Sequence, residues 1–214
     1  GLQSPEAHER DRQRRDAPDL LRTSPRAAAR AGETLSLNAA LVSLPQFNFT
    51  GSVVDAETGT PIPNAIIILT NPETTVSTTS DLSGQFTINN VYTSDYNVLA
   101  GKWGYITQET GSQWLSTETG EMVVQLPKGY YDDFALDFGW TVEGDAPRGI
   151  WERGEPNGTS TGGQPMNPDD DLVGDIGDAC FVTGNSPDPS VSEDDVDNGY
   201  TRLTSPPFDL TDYI

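Results

Sequence analysis

The chain holds one cysteine, one histidine and two methionines in 214 residues, and its twelve lysines and arginines face 33 acidic residues. A single cysteine, Cys180, excludes an internal disulfide framework and a cysteine-built zinc site. Its neighbours Ala179, Phe181 and Val182 mark it as a small hydrophobe in a packed setting. The single histidine, His8, lies in a polar run, so two-histidine metal sites and histidine-dependent triads are excluded by count. Neither H-E-x-x-H nor G-x-S-x-G occurs. No apolar run approaches the roughly 20 residues of a membrane span or the length of a signal h-region. An exported protein would here have lost its signal, with Gly1 as a processed end.

Positive charge is scarce and badly distributed. Of the net −21, residues 1–50 carry +1, because seven arginines (Arg10, Arg12, Arg14, Arg15, Arg22, Arg26 and Arg30) meet six acidic residues there, and the remainder carries −22. Such a body repels phosphates, which argues against nucleic acid as a partner and favours divalent cations or basic partners. A salt-rich habitat would select the same surface. Residues 1–33 read as a basic arm with three proline-limited helix starts, Ser4-Pro5, Asp16-Ala-Pro18 and Ser24-Pro25, and too little apolar surface to order itself. We expect the arm to lie against an acidic surface, through Arg10, Arg12, Arg14 and Arg15, on its own body or on a neighbouring copy.

What is abundant is strand and turn chemistry. The 16 prolines and 21 glycines favour many short strands over long helices. Over 34–46, Leu35, Leu37 and Leu41 recur at period two, which describes either a first strand or an extension that adds to the sheet edge of another subunit. Phe47, Phe49 and Val53 also alternate, with Gly51 between them leaving room for close backbone approach. Asp55 to Gly59 supplies a turn, Pro61 and Pro63 forbid helix, and Ile66 to Leu69 is a β-branched run of strand length. Further strands are expected at Val76–Thr79, Phe86 to Ile88, Tyr96–Ala100 and Met122–Leu126, joined by glycine and aspartate turns. This spacing predicts an all-β sandwich. Trp103, Tyr105 and Trp114 are expected to cover one end of its core; a platform for stacking a surface glycan is the other reading.

Gly51-Ser-Val-Val-Asp55-Ala-Glu-Thr-Gly59-Thr-Pro61-Ile-Pro63-Asn-Ala65, then Asp81-Leu-Ser-Gly84-Gln-Phe86 and Gly101-Lys-Trp-Gly104-Tyr105, resemble the carboxypeptidase regulatory-like domain. The resemblance implies a transthyretin-like, seven-stranded β-sandwich over 47–127, an accessory module without chemistry of its own.

After Pro127-Lys-Gly129-Tyr-Tyr131 the character changes, and 128–214 is an acidic region with Phe138, Trp140 and Val142 alternating. Asp132-Asp133-Phe134, Gly149-Ile-Trp151, Asp178-Ala-Cys180-Phe-Val-Thr-Gly184 and Leu203-Thr-Ser-Pro206-Pro-Phe208-Asp-Leu210 resemble, in this order, the front half of a jelly-roll domain of secreted proteins and peptidases of Bacteroidetes-type bacteria. The family continues past the last of these motifs, so the region is expected to be incomplete, either truncated or completed by a partner.

Hard cations take oxygen ligands. Asp195, Asp197 and Asn198, followed by Gly199, form one candidate calcium turn, and Asp169, Asp171 and Asp175 form a second acidic cluster in a glycine-rich loop. No catalytic residue is assigned. The expected function is a non-catalytic structural or adhesive module at the bacterial surface or outside the cell, which self-associates or joins other modules of one precursor. The alternatives are a subunit of an extracellular filament assembling by arm or strand exchange, and the accessory tail of a secreted zinc carboxypeptidase.

Overall fold

A computed structural model describes residues 43–187 and 195–211. Among these residues there are thirteen strands and no helix. The expected partner residues Arg10, Arg12, Arg14, Arg15, Leu35, Leu37 and Leu41 lie outside the described residues.

Seven strands make the sandwich: β1 (Gln46–Asp55), β2 (Ile66–Asn71), β3 (Thr74–Thr79), β4 (Gln85–Tyr92), β5 (Ser94–Gly101), β6 (Gln108–Leu115) and β7 (Met122–Leu126). They form two sheets, β4-β1-β7 and β3-β2-β5-β6, in which β1 runs antiparallel to β4 and parallel to β7. Strand alternation builds the core directly. Phe49 and Val53 of β1, Ile67 and Leu69 of β2, and Val98 and Ala100 of β5 are fully buried, while the residues between them face outward or sit at half depth. Each large apolar side chain buried in this way contributes about 1.5–3 kcal/mol. Phe49 and Phe86 meet across the β1–β4 pair with ring centroids 5.6 Å apart.

Gly51 has the role its place between Phe49 and Val53 predicts. A Cβ there would run into the Met122 carbonyl of β7 and come within 2.6 Å of the Phe86 ring, so the two neighbouring strands close over it. Two aspartates organise the turns. Asp55 Oδ1 accepts the amides of Glu57 (3.0 Å) and Thr58 (2.8 Å), and Asp81 Oδ1 accepts those of Ser83 (2.8 Å) and Gln85 (2.9 Å). Buried Ser80 ties down the proline segment, donating to the Ile62 carbonyl at 2.7 Å and accepting the Ala65 amide at 2.8 Å.

Sequence pattern missed one sandwich strand. The segment Gln108–Leu115 is polar almost throughout, yet it pairs along β5 as an edge strand whose only fully buried side chain is Leu115. An edge strand has little to bury and so shows little periodicity.

The second region is built differently. Strands β8 (Thr141–Gly144), β9 (Trp151–Gly154), β10 (Thr159–Thr161), β11 (Gln164–Asn167), β12 (Cys180–Thr183) and β13 (Thr201–Thr204) form three two-stranded ladders, β8 with β13, β9 with β12 and β10 with β11. Among the described residues no further strand pairs with any of them, so each strand keeps an open edge.

An aromatic seam joins this region to the sandwich. Trp103, expected to cap the core, instead packs against Tyr130 (centroids 5.2 Å), Phe208 (5.0 Å) and Trp140 (6.1 Å), and Trp140 leads on to Phe134 and Phe181. Tyr105 does pack on the sandwich core. Polar contacts pin the seam: Trp103 donates to the Pro207 carbonyl at 2.8 Å, and Trp140 donates to Asp132 Oδ2 at 2.7 Å. The segment following Pro127 is therefore held on both sides, not a slack tether.

Candidate binding groove

The β9–β12 ladder and the acidic loop before it enclose the main hollow of the second region. Antiparallel pairing sets Cys180 opposite Gly154 and Thr183 opposite Trp151, and Trp151 with the run Cys180 to Gly184 lines the hollow. The β10–β11 hairpin contributes Asn157, Thr159 and Asn167 to one wall, and the loop contributes Asp170, Asp171, Leu172 and Val173 to the other. The groove measures about 680 Å³. That size lies within the range of small-ligand and peptide-end sites.

A second hollow of about 340 Å³ adjoins it and shares Asp170 to Val173. Glu155, Asp175 and Asp178 complete its acidic lining. Among the described residues no lysine, arginine or histidine lines either hollow. Five carboxylates thus converge on one connected depression.

The depression is braced by its own hydrogen bonds. Asn185 donates to the Glu155 carbonyl at 2.8 Å and accepts the Asn157 amide at 2.9 Å. Asp169 Oδ1 accepts the Gly158 amide at 2.9 Å, so this carboxylate is spent on joining loop to hairpin. Asp171 and Asp175 differ: Oδ2 of the first and Oδ1 of the second are buried with no hydrogen-bond partner. Thr159, 5 % exposed, has an unpartnered Oγ as well. At the lip, Leu172 and Val173 are 68 % and 96 % exposed, a costly display of apolar surface beside buried charge.

Cys180 lines the groove at half depth instead of sitting fully in a core. Burial pushes its thiol pKa up, and the Asp171 carboxylate beside it, then Asp175, push it further. A thiol held protonated is a poor nucleophile. Asp133, beneath the loop and 4 % exposed, has its pKa raised chiefly by burial and, more weakly, by Asp132, against the pull of the Ala135 and Ile176 amides.

The sequence-predicted residues fall into two separate places. Asp169, Asp171 and Asp175 share the acidic loop, whereas Asp195, Asp197 and Asn198 form an exposed turn that packs through Gly199 on Asp145 and Ala146. Asn198 sits there at φ 54°, a conformation asparagine tolerates. Among the described residues no three His, Cys, Asp or Glu side chains close on a common point as a metal cage would need. Trp151, Thr159 and Phe181 were not singled out as binding residues from sequence. Their only signal is a strand-like alternation that says nothing about which loop will cover them.

Comparison with known proteins bears on the sandwich. The family profile of the carboxypeptidase regulatory-like domain matches residues 48–127. No curated protein sequence matches the chain. Among solved structures, a streptococcal ancillary pilin is similar at 22% identity and a TM-score of 0.34, over 40% of this chain and 30% of the pilin. A Bacteroides uniformis protein described as a candidate carbohydrate binder is similar at 11% identity and a TM-score of 0.34, over 73% of this chain and 78% of its own. At these scores the roles of those proteins do not transfer. The matched segment spans β1 to β7 almost end to end, so the likeness to the carboxypeptidase regulatory-like domain falls on the seven-stranded sandwich.

Proposed function

We propose that the chain is a non-catalytic structural or adhesive module of a secreted or surface-attached bacterial protein, and that its second region acts by being joined to a neighbouring copy or module. The observation that carries this reading is the set of three two-stranded ladders with open edges in β8 to β13. Unpaired strand edges offer rows of N–H and C=O groups to another chain. The chemistry of the groove supports the non-catalytic part: burial and neighbouring carboxylates hold its one thiol protonated, and its carboxylates have no basic partner among the described lining residues. Analytical ultracentrifugation across micromolar concentrations tests the joining. Reversible self-association is expected, with electron microscopy separating closed dimers from filaments; a monomer at every concentration, in the presence of its precursor's other modules as well, would sink the reading.

A further inference from the structure

We infer that the acidic groove beside the β9–β12 ladder is the seat of this chain's own arginine-bearing segment, residues 10–21, supplied by the same copy or by a neighbour. The inference deepens the proposed joining role by naming the segment that does it, and it rests on that reading only for the choice between the two copies.

Charge makes the first part of the case. Asp171 Oδ2 and Asp175 Oδ1 are buried without a hydrogen-bond donor, in a depression whose described lining residues include five carboxylates and no basic side chain. A carboxylate oxygen buried without a donor is costly, and a cationic hydrogen-bond donor relieves that cost. The described part of the chain has few to offer. Lys102 donates to the Pro63 carbonyl, Arg153 donates to the Phe134 carbonyl, and Arg202 pairs with Glu143 at 2.7 Å. Seven of the twelve basic residues lie in residues 1–42, four of them at Arg10, Arg12, Arg14 and Arg15.

Shape and polarity favour a peptide over a bare ion. An ion would neutralise Asp171 and Asp175 but leave Leu172 and Val173 in water. The segment 10–21 carries both kinds of group, four guanidiniums within Arg10 to Arg15, where Asp11 is the one acid, followed after Asp16 and Asp19 by Leu20 and Leu21. Guanidiniums present five N–H donors in a planar fork, which suits carboxylates spread along a wall better than a point charge does. Reach is no obstacle: an extended chain spans about 3.3 Å per residue, so the residues between Arg15 and Ser43 can cross roughly 90 Å, several times the radius of a domain this size.

The test uses the full chain with Cys180→Ser and Val173→Cys, which puts a benzophenone label on the exposed lip. The control carries the label at Thr117→Cys, an exposed turn between β6 and β7. After irradiation, cross-links to residues 1–42 are mapped by mass spectrometry on mixed light and heavy copies. The expected yield from position 173 exceeds the control at least tenfold, and falls to control level in 1 M NaCl or with Arg10, Arg12, Arg14 and Arg15 all replaced by serine. A yield equal to the control, or one that survives the arginine replacements, overturns the inference. The two readings fail separately: cross-links within single copies of a monomer keep the groove assignment and remove the joining role, whereas self-association that persists without arm cross-links does the reverse.

Discussion

Trp103 and Phe208 stand 5.0 Å apart between ring centroids, and the Trp103 indole also donates to the carbonyl of the preceding Pro207 at 2.8 Å. One residue comes from the loop after β5 of the sandwich, the other from the end of the described chain. Their contact makes the sandwich and the second region one packed unit.

Replacing Trp103 with alanine should therefore separate what the seam couples. We expect a loss of about 2–3 kcal/mol, below the full range for a buried tryptophan because Trp103 is only half-buried. Calorimetry should resolve two transitions in the variant against one expected for the parent chain. A single transition with unchanged midpoint would show that the seam contributes no coupling.

Gly51 offers a sharper stability test. Alanine there must push against the Met122 carbonyl and the Phe86 ring, and we expect a loss of about 1–3 kcal/mol by urea denaturation. Gly120, whose added Cβ would meet nothing within 4 Å, is the matched control and should change stability by less than about 0.5 kcal/mol.

Acid should act in opposite senses on two aspartates. The backbone amide of Thr58, with lesser help from Glu57, holds Asp55 below the usual carboxylate pKa, so its contribution is present above its unfolded value and lost as pH falls through the folded one. Burial holds Asp133 above that value, so its contribution is present below the unfolded pKa and lost as pH rises through the raised folded one. Melting curves from pH 3 to pH 7 should show Asp133→Asn gaining stability on the parent chain towards neutrality. For Asp55→Ala the deficit should be full at neutral pH and shrink in acid. Parallel curves for either variant would contradict the stated environments.

Calcium titration distinguishes two ways of neutralising the groove. With the arginine segment seated, millimolar calcium added to chelated protein should shift the melting temperature no more than magnesium at equal ionic strength. A calcium-specific rise abolished by Asp171→Asn with Asp175→Asn would assign the loop to the ion instead.

Much of the sandwich was readable in advance because its signals are local. Phe49 and Val53 alternate within one strand, Asp55 and Asp81 cap turns a few residues away, and Gly51 marks a close approach between hydrophobic neighbours. Strand β6 was not readable, since an edge strand with polar residues on both faces has no period to show. The role of Trp103 was misread for a different reason. Its aromatic partners lie between 27 and 105 positions further along the chain, at Tyr130, Phe138, Trp140 and Phe208, and no spacing rule connects them.

Alternating apolar residues and turn formers were enough to specify layered sheets, because burying one face of a pleated strand requires nothing beyond its nearest sequence neighbours. Where the acidic loop comes to rest was a matter for the folded molecule. Asp171 and Asp175 acquire their surroundings only when β9 and β12 pair and bring Cys180 beside them, and electrostatics in a depression depends on what surrounds a charge, not on which residues flank it in the chain.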